Sequence, residues 1–452
     1  MILLKNCFCV FDGTKRLYAQ DILIKKNIIH SIGPTAAVHN PEVTEVVDCS
    51  DHLVIPGLVN THHHFYQILT RNLPEVQNAE LFDWLIFLYE TWKNIDSEAV
   101  YYSSLAAMAE LMKTGCTCST DHHYLYPSAF IGDIMARQFE AAETLGMRFS
   151  PTRGSMSLSK KDGGLPPDSV VQTEEEILSD SERVISEYHD PSDLSMRRII
   201  LAPCSPFSVT TDLMKKSSEL ARRHGVLLHT HLAETFDEND FCVKKYGVRP
   251  LKLMQDCGFT GSDVSFAHGI HFNDEELEVL RDEGCSICHC PSSNMRLGSG
   301  IARVREMLDM GINVSLAVDG SASNDSSDML SEVRSALMLQ RVKGGAAALT
   351  ADEALMMASR GGAKTLNFPR CGMLKEGWAA DLAIYNMKTL DYAGSLSDPA
   401  AALIFCGYDH RTEHTMINGR FTVKNGRLTG FDEEDIIRNV NRIAARLRQQ
   451  QR

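Results

Sequence analysis

A chain of 452 residues with 44% hydrophobic side chains exceeds one ordinary domain and can bury a large core. Its formal net charge of −14 excludes a polyanion as the natural partner, because nucleic-acid binding draws on clustered Lys and Arg that displace counterions from phosphates. A small uncharged or cationic molecule fits better, and no stretch approaches the ~18 apolar residues of a membrane span.

The first apolar run, Met1-Ile-Leu-Leu-Lys5, stops too early for a signal peptide, so a cytoplasmic location is expected. There the thirteen cysteines read as reduced thiols, mostly small buried hydrophobes. Cys285-Ser-Ile-Cys288 has no second CxxC downstream and reads as strand residues preceding His289, not as a zinc ribbon.

Residues 1–57 alternate apolar and polar positions between turn signals, as in Ile22-Leu-Ile-Lys-Lys-Asn27, which predicts short strands. Residues 370–432 repeat that texture, with two Asn-Gly turns at 418–419 and 425–426. The two segments are expected to form one small β-sandwich. Over 58–369, strand-like runs alternate with amphipathic stretches at 103–112, 181–188 and 213–224. This is the pattern of an α/β chain folded as a (β/α)8 barrel. Residues 433–452 read as a charged amphipathic helix, solvated or facing another subunit.

Several predicted strands end in chemistry. His62 and His64 close Pro56-Gly-Leu-Val-Asn-Thr-His-His-His64, and alternate strand residues share a face, so both imidazoles point one way and His63 the other. His231 in His229-Thr-His-Leu-Ala-Glu234, His268 in Ser265-Phe-Ala-His268 and Asp319 in Val314-Ser-Leu-Ala-Val-Asp319 each follow a β-type run. One such histidine is usually a packed, hydrogen-bonded residue. The set together is a nitrogen-and-carboxylate site that suits zinc, with iron or manganese also admissible, and leaves a position for water. His231, His268 and Asp319 stand 37 and 51 residues apart, compatible with successive βα units that present them at strand C-terminal ends.

Zinc lowers the pKa of bound water to about 7, and hydrolysis of a C–N bond is a natural use. Glu234, three residues past His231, suits a general acid/base, although a helix N-cap or surface carboxylate also fits that position. Asp319 suits both metal binding and proton acceptance, and His268 suits polarising the water. A two-metal site with His268 as a further ligand wants a bridging Lys or carboxylate from the middle strands. No lysine stands at such a strand end, which favours one metal per chain.

These motifs, with His289-Cys-Pro-Ser-Ser-Asn-Met-Arg296, Asp319-Gly-Ser-Ala-Ser-Asn324 and Gly372-Met-Leu-Lys-Glu-Gly-Trp-Ala-Ala-Asp-Leu382, resemble the amidohydrolase superfamily end to end, in the branch of guanine, S-adenosylhomocysteine and chlorotriazine deaminases. Thr61-His-His-His-Phe-Tyr-Gln67, Asp121-His-His-Tyr-Leu-Tyr-Pro127, Arg153-Gly-Ser-Met-Ser-Leu158, Lys161-Asp-Gly-Gly-Leu-Pro-Pro167 and Leu201-Ala-Pro-Cys-Ser-Pro-Phe207 narrow the resemblance to the 8-oxoguanine deaminases. The resemblance implies His62, His64, His231 and Asp319 as metal ligands, with Glu234, His268 and Asp319 catalytic. It implies hydrolysis of 8-oxoguanine to urate and ammonia, Glu234 protonating a ring nitrogen, Asp319 carrying the water proton to the departing amine, and His268 steadying the oxyanion. It also suggests a homo-oligomer.

Gln67, Trp92, Arg153 and Cys204 are the expected substrate contacts: a carboxamide for a purine edge, an indole to stack, a guanidinium for a carbonyl and a small lining thiol. His122 and His123 are further candidates for the pocket wall. Rival readings are deamination of isoxanthopterin, guanine or an aminotriazine, and, remotely, a noncatalytic scaffold on this fold. A cytidine-deaminase-type zinc site requires P-C-x-x-C after its H-x-E, and none follows here.

Overall fold

In the computed structural model, which describes residues 1–34 and 41–451, parallel strands form a ring. The first, Leu58–Asn60, pairs with Cys116–Ser119, which pairs with Arg148–Phe149. The second and third strands continue as His122–His123 and Thr152–Ser155. From there the sheet runs through Ile200–Pro203, Leu227–Leu232, Val264–His268 and Ser286–His289 to Asn313–Leu316, every pairing parallel. The ring closes where Thr61 N–H donates to Leu316 O at 3.3 Å and Asp319 N–H to His62 O at 3.1 Å. Asn60 staples the closure: its Oδ1 accepts Val318 N–H at 2.9 Å and its Nδ2 donates to Ser119 Oγ at 3.1 Å. Helices cover the ring, among them Ser97–Lys113, Glu174–Tyr188 and Thr211–His224, each spanning an expected amphipathic stretch. This is an α/β barrel of the expected type.

The two ends of the chain meet in one nine-stranded sheet. His52–Pro56 pairs antiparallel with Leu382–Asn386, joining N-terminal strands to C-terminal ones. Asn418-Gly419 and Asn425-Gly426 all have positive φ (51°, 76°, 52°, 70°), as tight hairpins require, and they connect His414–Ile417, Arg420–Lys424 and Arg427–Leu428 in turn. The sheet has its own core of Leu4, Val10, Ile22, Ile24, Leu382 and Ile384. Arg148 and Asp381 tie it to the barrel through an ion pair at 2.7 Å whose side chains are 0% and 2% exposed.

The terminal helix Glu433–Gln451 is not simply solvated. It buries Ile436, Ile443 and Leu447 against the chain's own helices, and Arg446 pairs with Asp96 at 2.7 Å. Twelve of the thirteen cysteines are buried, as an apolar reading of them expects. Among the described residues no helix is long and apolar enough to cross a membrane.

Candidate metal centre and substrate cavity

The expected residues converge at the C-terminal mouth of the barrel. His62 and His64 extend the first strand, His231 lies in the fifth, His268 ends the sixth, and Asp319 follows the eighth. The seventh strand, Ser286–His289, lies between His268 and Asp319, which accounts for their wide spacing. Three non-glycine residues at this rim, Ala233, His268 and Asp319, have φ of 55°, 73° and 63°. Left-handed backbone costs such residues energy and persists where surrounding structure imposes it, commonly at functional sites.

Hydrogen bonds fix the tautomers. His64 Nδ1 lies 2.8 Å from His122 O and His231 Nδ1 2.6 Å from Cys204 O, so both rings donate outwards and leave Nε2 bare. The two bare nitrogens stand 3.2 Å apart, and Asp319 Oδ1 lies 3.3 Å from His64 Nε2 and 3.4 Å from His62 Nε2. His62 Nε2 is buried and finds no hydrogen-bond partner among the described residues, while its Nδ1 meets His229 Nε2 at 2.8 Å. Lone pairs facing one another in a buried space call for a cation. Ligands about 2.0–2.1 Å from a tetrahedral zinc lie about 3.3 Å from one another, which is the spacing found here.

His268 is oriented the other way. Asn294 Nδ2 donates to its Nδ1 at 3.0 Å, so its proton sits on Nε2, 3.4 Å from Glu234 Oε2. Burial lowers the His268 pKa to about 4, with Asp319 pulling against it, so the ring is neutral. Burial, reinforced by Asp319 and Glu238, raises the Glu234 carboxyl well above the usual range, and its Oε1 has no partner among the described residues. Burial also opposes ionisation of Asp319. The hydrogen bonds that its carboxylate accepts favour the charged form. Ser293 Oγ donates to Asp319 Oδ2 and Gly320 N–H to Oδ1, both at 2.6 Å. The rim thus sets a neutral acid and an ionised base side by side.

These groups open into a small cavity lined by Gln67, Trp84, Tyr89, Tyr124, Cys204 and Phe207 besides the site residues. Gln67 and Cys204 therefore stand where a substrate contact is expected. Trp92 and Arg153 do not, and both expectations are corrected. Trp92 is wholly buried behind the cavity, with its indole N–H donated to Thr70 Oγ1 at 3.0 Å and its rings against Tyr66, Trp84 and Tyr89. Arg153 faces the helix layer, where Asp180 at 2.6 Å, Gln172 at 2.9 Å and the Tyr126 ring engage it. His122 stacks on His231 with ring centroids 4.7 Å apart and donates to Ala202 O, and His123 meets Leu125 O, so neither lines the cavity. His63 turns away to Ser327 Oγ, 3.0 Å off. Trp84, Tyr89, Tyr124, His229 and Asn294 were not anticipated. The period of two in His229-Thr-His231 carried a signal for His229, whereas nothing local marked Asn294.

The amidohydrolase family model matches residues 53–422. The chain is 48% identical to the 8-oxoguanine deaminase of Pseudomonas aeruginosa over 88% of each chain. It is 35% identical to the hydroxydechloroatrazine ethylaminohydrolase of Pseudomonas sp. strain ADP, over 94% of this chain and 91% of that one. The crystal structure of a zinc-complexed atrazine chlorohydrolase from Arthrobacter aurescens superposes with a TM-score of 0.93 at 31% identity, covering 98% of this chain and all of that one. A barrel whose rim carries four histidines, an aspartate and a neutral glutamate, matched over this length, is that of a hydrolytic enzyme, and the chain belongs to the amidohydrolase family.

Proposed function

We propose that the protein converts 8-oxoguanine and water to urate and ammonia. The observation that carries this reading is the pair of bare imidazole nitrogens of His64 and His231, 3.2 Å apart beside an ionised Asp319 and a neutral Glu234. His62, His64, His231 and Asp319 would hold one divalent ion, zinc by the donor set, with iron fitting the same ligands. Bound there, such an ion supplies activated water at neutral pH.

The chain's own residues carry the protons. Water adds to the ring carbon bearing the amino group, and Glu234 protonates the adjacent ring nitrogen. Asp319 takes one proton of the water and passes it to the amine, and the other returns to Glu234 as the C–N bond breaks, so ammonia leaves, a carbonyl remains and both carboxyl groups regain their starting states. His268 Nε2–H steadies the charge that develops on oxygen. Gln67 offers a donor and an acceptor to the heterocycle's edge, and Cys204, its thiol pushed up to about 12 by burial, lines the cavity as a neutral group.

The wider reading is a catalytic barrel over 58–369, a sandwich built from 1–57 and 370–432, and a homo-oligomer acting in the cytoplasm. The deciding assay is ammonia release by zinc-loaded protein given 8-oxoguanine, with guanine, isoxanthopterin and a hydroxylated aminotriazine in parallel. Turnover of 8-oxoguanine well above the others is the expected result. Release from another heterocycle alone keeps the chemistry and overturns the substrate.

A further inference from the structure

Three tryptophans occur in the chain, and one of them, Trp84, lines the cavity with an indole nitrogen that has no hydrogen-bond partner among the described residues. Trp84 is 3% exposed, lines the cavity, and its Nε1–H has no hydrogen-bond partner among the described residues. Its neighbour Trp92 gives its N–H to Thr70, so the aromatic cluster does satisfy an indole where it can. Leaving a buried donor unmade is costly, and a native orphan of this kind calls for an explanation. The other side chains that helix Leu81–Trp92 presents to the cavity are Leu81, Leu85 and Tyr89, and the Tyr89 hydroxyl is directed to Met156 Sδ at 3.7 Å. The donor that this wall holds free is Trp84 Nε1–H.

We infer that Trp84 is a specificity-determining residue whose indole N–H donates to a carbonyl oxygen on the end of the heterocycle remote from the scissile C–N bond. The inference rests on the proposed reaction and deepens it. The reacting carbon must lie at the rim, beside Glu234 and Asp319, whereas Trp84 comes from the helix that covers the cavity. In 8-oxoguanine the amino-bearing carbon belongs to the six-membered ring, and the C8 carbonyl projects from the opposite end. Guanine has only C–H there and leaves the indole N–H unpaired. Pairing the indole therefore distinguishes the oxidised base from its parent. A site built to hydrogen-bond a substrate group rejects the analogue lacking it far better than a hydrophobic slot rejects a change of size.

The test is Trp84→Phe, which keeps an aromatic ring and deletes the donor. Expected is a fall of roughly 10- to 100-fold in kcat/KM for 8-oxoguanine with less than a threefold change for guanine. An equal fall for both bases would mean that Trp84 acts only as packing, and overturns the proposal. Independently, the Trp84 indole N–H resonance of zinc-loaded Glu234→Gln protein, assigned by its absence in the Trp84→Phe form, moves downfield on saturation with 8-oxoguanine. If the wild type leaves 8-oxoguanine untouched, the substrate reading fails alone. The same titration with isoxanthopterin, another base with a carbonyl remote from its amino group, then decides Trp84. A resonance unmoved by either base overturns the role.

Discussion

His62 Nδ1 lies 2.8 Å from His229 Nε2, and His229 Nδ1 lies 2.8 Å from Ser265 Oγ. This buried chain runs down the barrel from the rim and holds the His62 ring with its bare Nε2 towards Asp319. Outer partners of this kind typically contribute 10–100-fold to metal affinity. His229→Ala is expected to weaken zinc binding by about that factor in competition with a chromophoric chelator. His229→Gln, which retains an acceptor, should recover part of the loss. Unchanged affinity in His229→Ala would assign the ring's orientation to packing alone.

Glu234 is placed to move a proton without binding the ion, and the two roles separate experimentally. Glu234→Gln should lower kcat by roughly 10²–10⁴ while metal content by elemental analysis stays the same. Loss of metal together with activity would make Glu234 a ligand.

Chelation should destabilise the fold, because it leaves the bare nitrogens of His64 and His231 facing each other at 3.2 Å. A ligand at 100 times its Kd adds about 2.7 kcal/mol. Calorimetric scans of stripped protein are expected to show a lower Tm, restored in a concentration-dependent way by zinc. A Tm indifferent to zinc would contradict the site.

Arg148 and Asp381 bridge the barrel and the terminal sheet out of contact with solvent, and Asp381 Oδ1 also accepts Asn418 N–H at 2.7 Å. Asp381→Ala leaves a buried guanidinium uncompensated and should cost about 3–5 kcal/mol in chemical denaturation. Arg148→Met combined with Asp381→Leu should be milder than the single change, since no charge is then stranded.

Burial raises the Glu332 carboxyl to about 8 from an ordinary 4.5, although Ser292 and Asn324 hydrogen-bond to it. Asp121 and Glu238 are each raised to about 7, again by burial. The folded chain thus keeps protons that the unfolded chain releases. Stability from Glu332 is full below about pH 4.5 and is lost as pH rises through about 8. Glu332→Gln should flatten the fall in Tm between pH 5 and 8, leaving the part due to the other two. An unaltered slope would show that Glu332 ionises normally.

What the sequence by itself determined lies in local periodicities. Alternation in His62-His-His64 put two imidazoles on one face, and Asn418-Gly419 and Asn425-Gly426 set the hairpins. Runs of strand followed by amphipathic helix gave the barrel, because secondary-structure periods are properties of neighbouring residues. The same periodicity was silent on which face of a strand looks into the ring, so Arg153 was expected at the substrate and lies against the helix layer. It was equally silent on depth along a helix. Trp84 and Trp92 share helix Leu81–Trp92, yet Trp84 reaches the cavity and Trp92 reaches Thr70. Only closure of the barrel, through Asn60 and Asp319, brings Asp319 within 3.5 Å of His62 and His64, more than two hundred positions away. The ionisation states of Glu234 and Asp319 followed from that closure too, because desolvation and nearby charge depend on the folded surroundings and not on the order of residues.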